Sequence, residues 1–540
     1  MALRFRGLIG IARNGRAMTT DFPEHLRGLM RPEAYPHPVR VIELVQTHIS
    51  WVLLTGEFAY KLKRPVRYPF VDFSTAERRE FSCREELRLN RRFAAELYLD
   101  VCAITTTNGA ARIGGVGEII EHAVKMLQFD RAAELDQLLA TQAIAPAELE
   151  AFGRELVTIH SGLPRIAPAD PWGRAENIQA IILQNVDDCA AAAARLRSWS
   201  DLGDLRARLA ARLSSLADCM SERRAGGWIR ECHGDLHSGN IVRRGARLVA
   251  FDCMEFEAAF RWIDVADEVA FLLSDMAARG CARHAHAFLG AYLAKGGDYQ
   301  VCRLLRAYQA HRALVRAKIA ALNAASARDP ELEEFRGAFT RLVHYAASVL
   351  SAPRPRLLLT FGLSGAGKTW LARQLAERLG AIHLRSDVER KRLAGLAENA
   401  RSSSALGQDL YSGSANTQVY AKLRRDAEEV LAGGYDVIVD ATFGRREYRA
   451  EFRQLAELLG IPILLINCHA PVEILRARID ARRAAKGEAS EADERVLEWQ
   501  IEHYDALDTN EGVRTISVDT AHSAAVEQVI RELDARDTLI

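Results

Sequence analysis

Residues 357–369 constrain the fold more than any other stretch of this 540-residue chain. Leu357-Leu358-Leu359-Thr360-Phe361 is an apolar run of strand length, and Gly362-Leu363-Ser364-Gly365-Ala366-Gly367-Lys368-Thr369 after it fits G-x-x-x-x-G-K-[ST] in full. An unbroken apolar strand is buried on both faces, which calls for a parallel sheet covered by helices. The glycines let successive backbone N–H groups wrap an anion at the N-terminus of the next helix, which Gly380 stops. Gly362, Ser364, Gly365, Ala366 and Gly367 are therefore the expected phosphate cradle. Lys368 is expected to meet the β- and γ-phosphates of a nucleotide, and Thr369 to reach Mg²⁺.

The rest of that half fits one sheet. Tyr435-Asp436-Val437-Ile438-Val439-Asp440 is a second buried strand, ending in an acid placed to help hold Mg²⁺. Residues 463–466 and 515–518 bring the sheet to about five strands, with crossover helices at 417–431 and 472–483. Asp387 lies just past another strand, and it also reads as a helix N-cap. Ser386-Asp387, Asp440-Ala441-Thr442-Phe443 and the arginine-rich stretch 476–483 together resemble the P-loop kinases that include gluconate kinase and polynucleotide kinase. The resemblance implies that Asp387 is an acceptor-side base and that Arg478 or Arg482 is a lid arginine on the transferring phosphoryl group. A solvated helix face is the alternative for both arginines.

A chain this long exceeds one core, and the two prolines of Ser351-Ala352-Pro353-Arg354-Pro355-Arg356 break any helix arriving before them. Residues 351–356 read as a linker, with one domain at 31–350 and another at 357–540. Residues 1–30 read as a disordered extension, or as an early start with Met18 the true one. The 72 basic and 71 acidic side chains nearly cancel, which gives no backbone-tracking surface for nucleic acid and no general attraction to a membrane. Nine cysteines are scattered without a C-x-x-C pair, and no apolar run approaches the ~20 residues that span a bilayer. A reducing cytoplasm fits best.

The first half carries its chemistry in His233-Gly234-Asp235-Leu236-His237-Ser238-Gly239-Asn240, followed by apolar residues and then Phe251-Asp252. Asp235 is a carboxylate free to take a hydroxyl proton, and Asn240 and Asp252 supply oxygens for Mg²⁺. His233 reads as a structural hydrogen-bonder. The pattern H-G-D-x-x-x-x-N resembles the aminoglycoside phosphotransferase family, with a bilobal protein-kinase-like fold. That implies a strand lysine on the ATP phosphates: Ala59 and Lys61 fit the V-A-I-K offset, and Lys63 shares the face as a competitor. It also implies a helix glutamate paired with the lysine, and Glu86-Leu87-Arg88-Leu89-Asn90-Arg91 points to Glu86 over Glu80 and Glu85. A G-x-G-x-x-G loop is missing before the strand, so Gln46-Thr47-His48-Ile49-Ser50 is left to cover the phosphates.

Scaffold helices are expected over 145–216, and Asp264 and Asp267 share a helix face as loop anchors. Tyr308, Arg312 and Arg316 repeat every fourth residue in a segment holding eight Lys/Arg and the single acid Asp298. This is either a solvated face or an anion-binding wall for the acceptor. A wall would repel a polycationic antibiotic and select an anionic acceptor.

From residue 41 onward the order of halves resembles bacterial fusions of an aminoglycoside phosphotransferase-like domain with an ATP-binding domain. The expected architecture is multidomain, α+β and α/β: a bilobal kinase-like fold, then a P-loop parallel sheet with helices on both faces. The expected activity is an ATP- and Mg²⁺-dependent phosphotransferase acting on a small-molecule hydroxyl. The rival is that one half senses nucleotide or hydrolyses ATP as a switch.

Overall fold

The computed structural model describes residues 22–68, 71–196, 202–325, 327, 329–351, 354–397, 413–484, 494–508 and 511–537. It forms two compact units: Met1–Cys281 with Ala307–Leu350, and Ala282–Arg306 with Ser351–Ile540.

In the first unit, β1 (Glu43–Gln46), β2 (Ser50–Leu54) and β3 (Phe58–Lys63) run antiparallel. Helix α1 (Ala76–Ala94) follows, its N-terminus capped by the Thr75 side chain. Strands β4 (Tyr98–Thr107), β5 (Ala110–Ile113) and β6 (Glu118–Leu127) complete a six-stranded sheet in the order β1-β2-β3-β6-β4-β5. The period-2 alternation of β3 decides its chemistry. Tyr60 and Leu62 enter a core with Trp51, Leu53 and Ile104, while Ala59, Lys61 and Lys63 face the other way, toward α1.

Residues Glu24–Met30 form a 3₁₀ helix, and Phe22, Leu26 and Leu29 are buried in that same core. This corrects the reading of 1–30 as an extension for its last nine residues: three apolar side chains at near-helical spacing gain more by burial than the segment loses in freedom. Gly28 makes the contact possible, since a Cβ there would stand 2.7 Å from the Ala111 backbone nitrogen. Residues 1–21 and the Met18 start lie outside the described residues.

Beyond the sheet come α2 (Pro146–Gly162), β7 (Ile229–Glu231), β8 (Ile241–Arg244), β9 (Arg247–Ala250), α3 (Val265–Ala278) and α4 (Val301–Ala324). Strands β8 and β9 pair as a hairpin, so residues 233–240 and 252–255 are the loops before and after one turn of chain. Helix α3 is buried along nearly its whole length and is capped by Asp264, whose Oδ1 accepts the Ala266 N–H at 2.8 Å.

The second unit holds β10 (Leu357–Phe361), α5 (Lys368–Leu379), β11 (Ile382–Arg385), α6 (Ser386–Leu393), α7 (Gly413–Ala432), β12 (Val437–Asp440), β13 (Ile463–His469), α8 (Val472–Ala484) and β14 (Arg514–Asp519). The sheet is all parallel in the order β11-β12-β10-β13-β14. Its centre is β10, with Leu357, Leu358 and Leu359 fully buried. Residues 352–353 of the linker lie outside the described residues.

Candidate active sites

In the first unit the strand, helix and loops converge on one set of charges. Lys61 Nζ donates to Glu86 Oε1 at 2.8 Å and pairs with Asp252 Oδ1. Lys63, which is fully buried, reaches the other oxygen of Glu86 and also Glu255. The two lysines therefore do not compete for one role: Lys61 is the one beside Asp252, and Lys63 is anchored deeper by a carboxylate three residues further on. Burial opposes both ammonium charges, but the carboxylates outweigh it and hold both lysines charged. Burial would likewise raise Glu86, yet its two lysines bring it down to about 2. Glu255 goes the other way, pushed up by burial and by Glu86 despite Lys63.

Asp252 sits at φ +66°, a conformation that a non-glycine residue adopts only when its surroundings impose it. The imposing groups are visible. The Asp252 N–H donates to the Tyr98 hydroxyl at 3.0 Å and the Cys253 N–H to Asn90 Oδ1 at 2.9 Å. Asn90 belongs to the stretch that pointed to Glu86, so its spacing was a usable signal; Tyr98 and Glu255 carried none.

Asp235 is buried and its oxygens accept from the Asn240 amide at 3.0 Å (backbone O) and 3.1 Å (Oδ2). Those two donations orient Asn240 so that its carbonyl oxygen is the atom left to meet a cation. His237 Nε2 lies 3.6 Å from Asp235 Oδ2. Burial would raise the Asp235 carboxyl, and His237 followed by Arg316 more than offsets it, to about 2. His233 bonds the Phe251 carbonyl at 2.8 Å and is held neutral by burial, as expected of a structural residue.

The loop hangs from α3. Glu268 Oε2 accepts the Gly234 N–H at 2.8 Å while its other oxygen meets His160 of α2 at 3.1 Å, and Asp275 accepts the Ser238 N–H at 3.1 Å. Asp264 and Asp267, expected as loop anchors, are held instead by Arg223 (2.8 and 2.9 Å) and Arg312 (2.7 and 2.7 Å), and it is Glu268 and Asp275 that hold the loop. This corrects the wall of Tyr308, Arg312 and Arg316. Tyr308 and Arg312 are buried and Arg312 is spent on Asp267, because α4 packs that face inward. Residues 47–49 make a tight turn, with the Thr47 hydroxyl accepting the Ser50 N–H at 2.9 Å.

In the second unit the loop before α5 is built as the motif required. Gly362 has φ +137°, where a Cβ would stand 2.2 Å from the Cys468 carbonyl oxygen; at Gly365, φ +83°, it would stand 2.6 Å from that of Leu475. The Ser364 N–H donates to Gln500 at 2.7 Å, and Ala366 is buried. Gly367, at φ +75°, caps α5. Lys368 Nζ folds back onto the Gly362 and Leu363 carbonyls, both at 2.8 Å. The Thr369 hydroxyl hydrogen-bonds Asp440, whose Oδ2 also meets His383 at 3.1 Å; burial keeps His383 below its ordinary pKa. Thr369 and Asp440 thus lie together as a pair of hard oxygen donors.

Helix α6 begins at Ser386, so Asp387 lies inside its first turn and the cap position is Arg385. With Lys368, Arg390, Tyr420 and Arg445 it lines a cavity of about 950 Å³. Tyr420 stacks on Tyr448 there, ring centroids 3.8 Å apart. Arg478 does not stand on a solvated face: it donates to the Gly365 carbonyl at 3.2 Å and to Thr520 at 2.8 and 3.0 Å. Arg482 follows on α8, and its side chain lies outside the described residues.

The sheet with its strand lysine and the P-loop define two domains of the phosphoryl-transfer class. Residues 63–305 match the phosphotransferase enzyme family, and residues 357–507 match the AAA domain family. The chain is 30% identical over 464 residues to the uncharacterized protein Rv2004c of Mycobacterium tuberculosis (strain ATCC 25618 / H37Rv), covering 84% of this chain and 89% of that one. The same figures hold for the uncharacterized protein Mb2027c of Mycobacterium bovis. The chain belongs to this family of bacterial proteins, which joins an aminoglycoside phosphotransferase-like domain to a P-loop kinase-like domain. A gluconokinase from Sinorhizobium meliloti 1021 is similar at 22% identity, over 34% of this chain and 93% of that one, with a TM-score of 0.24. A score that low bears on no substrate. Among the described residues no helix is long and apolar enough to cross a membrane.

Proposed function

We propose that the chain is a small-molecule kinase with two Mg-ATP sites, one in a domain at 31–350 and one at 357–540, joined by 351–356. The observation that carries the reading is the meeting of Lys61, Glu86 and Asp252 in the same unit that orients Asn240 on Asp235. Asn240 and Asp252 would hold Mg²⁺ in the first site, and Thr369 and Asp440 in the second. The ion supplies charge neutralisation on the phosphates when bound. Lys61, kept in place by Glu86, steadies the phosphates. Asp235 accepts the acceptor's hydroxyl proton as the acceptor oxygen bonds to the γ-phosphorus and the bond from that phosphorus to the leaving ADP oxygen breaks. In the second unit Lys368 and Arg478 flank the phosphate loop, and Asp387 is the corresponding base.

The test is ADP release from Mg-ATP across sugars, nucleosides, phosphorylated metabolites and aminoglycosides. The expected result is that an acceptor raises turnover and that Asp235→Asn lowers the first unit's share by about 10²–10⁴-fold. A slow basal rate that no acceptor stimulates and that only Lys368→Ala reduces would make the first unit a sensor and the second an ATPase switch.

A further inference from the structure

Resting on the reading of Asp387 as an acceptor-side base, we propose that the second unit's acceptor is a hydroxylated ring carrying a carboxylate or phosphate, with the ring against Tyr448 and the anionic group on Arg445.

The sheet order divides the cavity of that unit. The phosphate loop follows the central strand β10, with β11 and β12 to one side of it and β13 and β14 to the other. Arg478, on α8 after β13, belongs to the second side, and Asp387, on α6 after β11, to the first. A molecule that presents its hydroxyl to Asp387 therefore lies at the carboxyl ends of β11 and β12.

Three helices supply that side, each with two cavity residues one turn apart: Asp387 and Arg390 on α6, Asn416 and Tyr420 on α7, and Arg445 and Tyr448 at the start of the helix Arg446–Leu459. The pairs are tied together. Arg390 is buried and donates to Asn416 Oδ1 at 2.8 Å, and the Tyr420 ring lies within 8° of parallel to that of Tyr448. The Tyr420 hydroxyl accepts the Phe443 N–H at 3.0 Å while Arg449 donates to the Phe443 carbonyl at 2.9 Å, and Phe443, held from both ends, takes φ +47°. Gly444 packs against Tyr504 so closely that a Cβ would stand 2.4 Å from its ring. The segment leading to Arg445 is thus set before an acceptor arrives, which lowers the ordering cost of binding.

This frame offers a ring surface and a cation. Tyr420 is buried and covers one face of Tyr448, which is half-buried and gives the rest of its ring to the cavity. That surface suits the face of another ring. Arg445 is exposed on the cavity wall, and among the described residues it makes no hydrogen bond and no ion pair. The neighbouring charges have tasks: Arg390 holds Asn416, Arg478 holds Gly365 and Thr520, and Asp440 holds Thr369 and His383. Arg445 also does nothing for its own helix. It occupies the N-cap without a side-chain cap bond, and its charge opposes the positive end of the helix dipole. An anionic group removes that opposition and fits the guanidinium fork with two parallel hydrogen bonds. As the acceptor oxygen bonds to the γ-phosphorus and the bond to the leaving ADP oxygen breaks, Asp387 takes the hydroxyl proton. A neutral ring leaves Arg445 unused, and an open-chain acid leaves Tyr448 unused.

The experiment uses the full chain carrying Asp235→Asn, to silence the first unit, and reads the ADP release lost on adding Lys368→Ala. The probes are glucose, glucuronate, glucose 6-phosphate and open-chain gluconate, with uridine and uridine 5′-monophosphate as a second ring series. At least one anionic ring should exceed both its neutral counterpart and gluconate by about ten-fold or more in kcat/KM, and glucuronate against glucose 6-phosphate tells carboxylate from phosphate. Arg445→Gln should bring the ratio of anionic to neutral ring toward one through KM, with Arg445→Lys restoring part of it. Tyr448→Leu should do the same to the ratio of ring to open chain, with Tyr448→Phe preserving it. Preference for a neutral ring or for gluconate, or a ratio that its variant leaves intact, overturns the inference while the phosphotransferase reading of this unit stands. Absence of Lys368-dependent stimulation by every probe overturns both.

Discussion

Each unit keeps a lysine at its proposed phosphate site, and each occupies that lysine differently before a nucleotide arrives. Lys61 rests on two carboxylates, Glu86 and Asp252, inside a lattice that also fixes Lys63 and Glu255. Lys368 rests on two neutral carbonyls of its own loop, at the edge of an open cavity. A phosphate taking Lys368 draws it from the Gly362 and Leu363 carbonyls. A phosphate taking Lys61 must share it with Asp252, whose carboxylate then needs another cation. The difference teaches that the lysine of the first site is tied by an ion pair to Asp252, one of its proposed metal ligands, whereas the lysine of the second holds carbonyls of its own loop.

The hardest way to strain the comparison is to break the lattice. Lys63→Met leaves Glu86 and Glu255 buried with one cation fewer and should destabilise the first unit by about 3–5 kcal/mol. Arg312→Ala, which strands Asp267, should cost a similar amount and act on stability rather than on acceptor binding. Two-transition urea unfolding measures both. Lys368→Ala should leave the second unit's transition nearly in place, and a comparable loss there would erase the contrast. Next in size is metal removal. Chelation of Mg²⁺ should weaken nucleotide binding to the first unit, on the order of ten-fold more than to the second, since only there does an unscreened Asp252 compete for the lysine. Two-site titration of the intact chain, with Lys368→Ala to assign the second site, gives the ratio; equal losses would break the comparison.

The parts of this arrangement legible in the sequence are those where chemistry fixes spacing. The P-loop can be read because backbone wrapping demands glycines at set positions, and Gly362 and Gly365 do have positive φ. Glu86 could be picked from three candidates because a resembling motif carried it, and β3 could be read by alternation. What stayed hidden depends on which long-range pairs the tertiary fold makes. Lys63 looked like a rival of Lys61 until Glu255, far along the chain, gave it a separate partner. Arg312 and Arg316 share a helix face and look equivalent in sequence, yet only Arg312 finds a carboxylate on α3. Phe22, Leu26 and Leu29 lie in a short polar stretch whose 3₁₀ repeat is too brief to show as periodicity.

The smallest effect expected is a difference in pH response between the units. Glu86 titrates near 2 in the folded protein and at about 4.5 when unfolded, so its contribution is complete above pH 4.5 and is lost as pH falls toward 2. Asp426 of α7 goes the other way. Lys422 pairs with it at 2.6 Å, but burial dominates and Glu389 adds to it, bringing Asp426 up from 3.8 to about 6. Between those values the folded carboxyl keeps a proton that the unfolded one has released, so stability falls as pH rises through that window, by at most about 1.4 kcal/mol per pH unit. Unfolding of the second unit measured from pH 4 to 7 should therefore show a decline that Asp426→Asn flattens, whereas Glu86, already ionised across most of that range, adds little slope to the first unit's transition. If Asp426→Asn leaves the slope unchanged, the Lys422 pair outweighs burial and the two units share one electrostatic design after all.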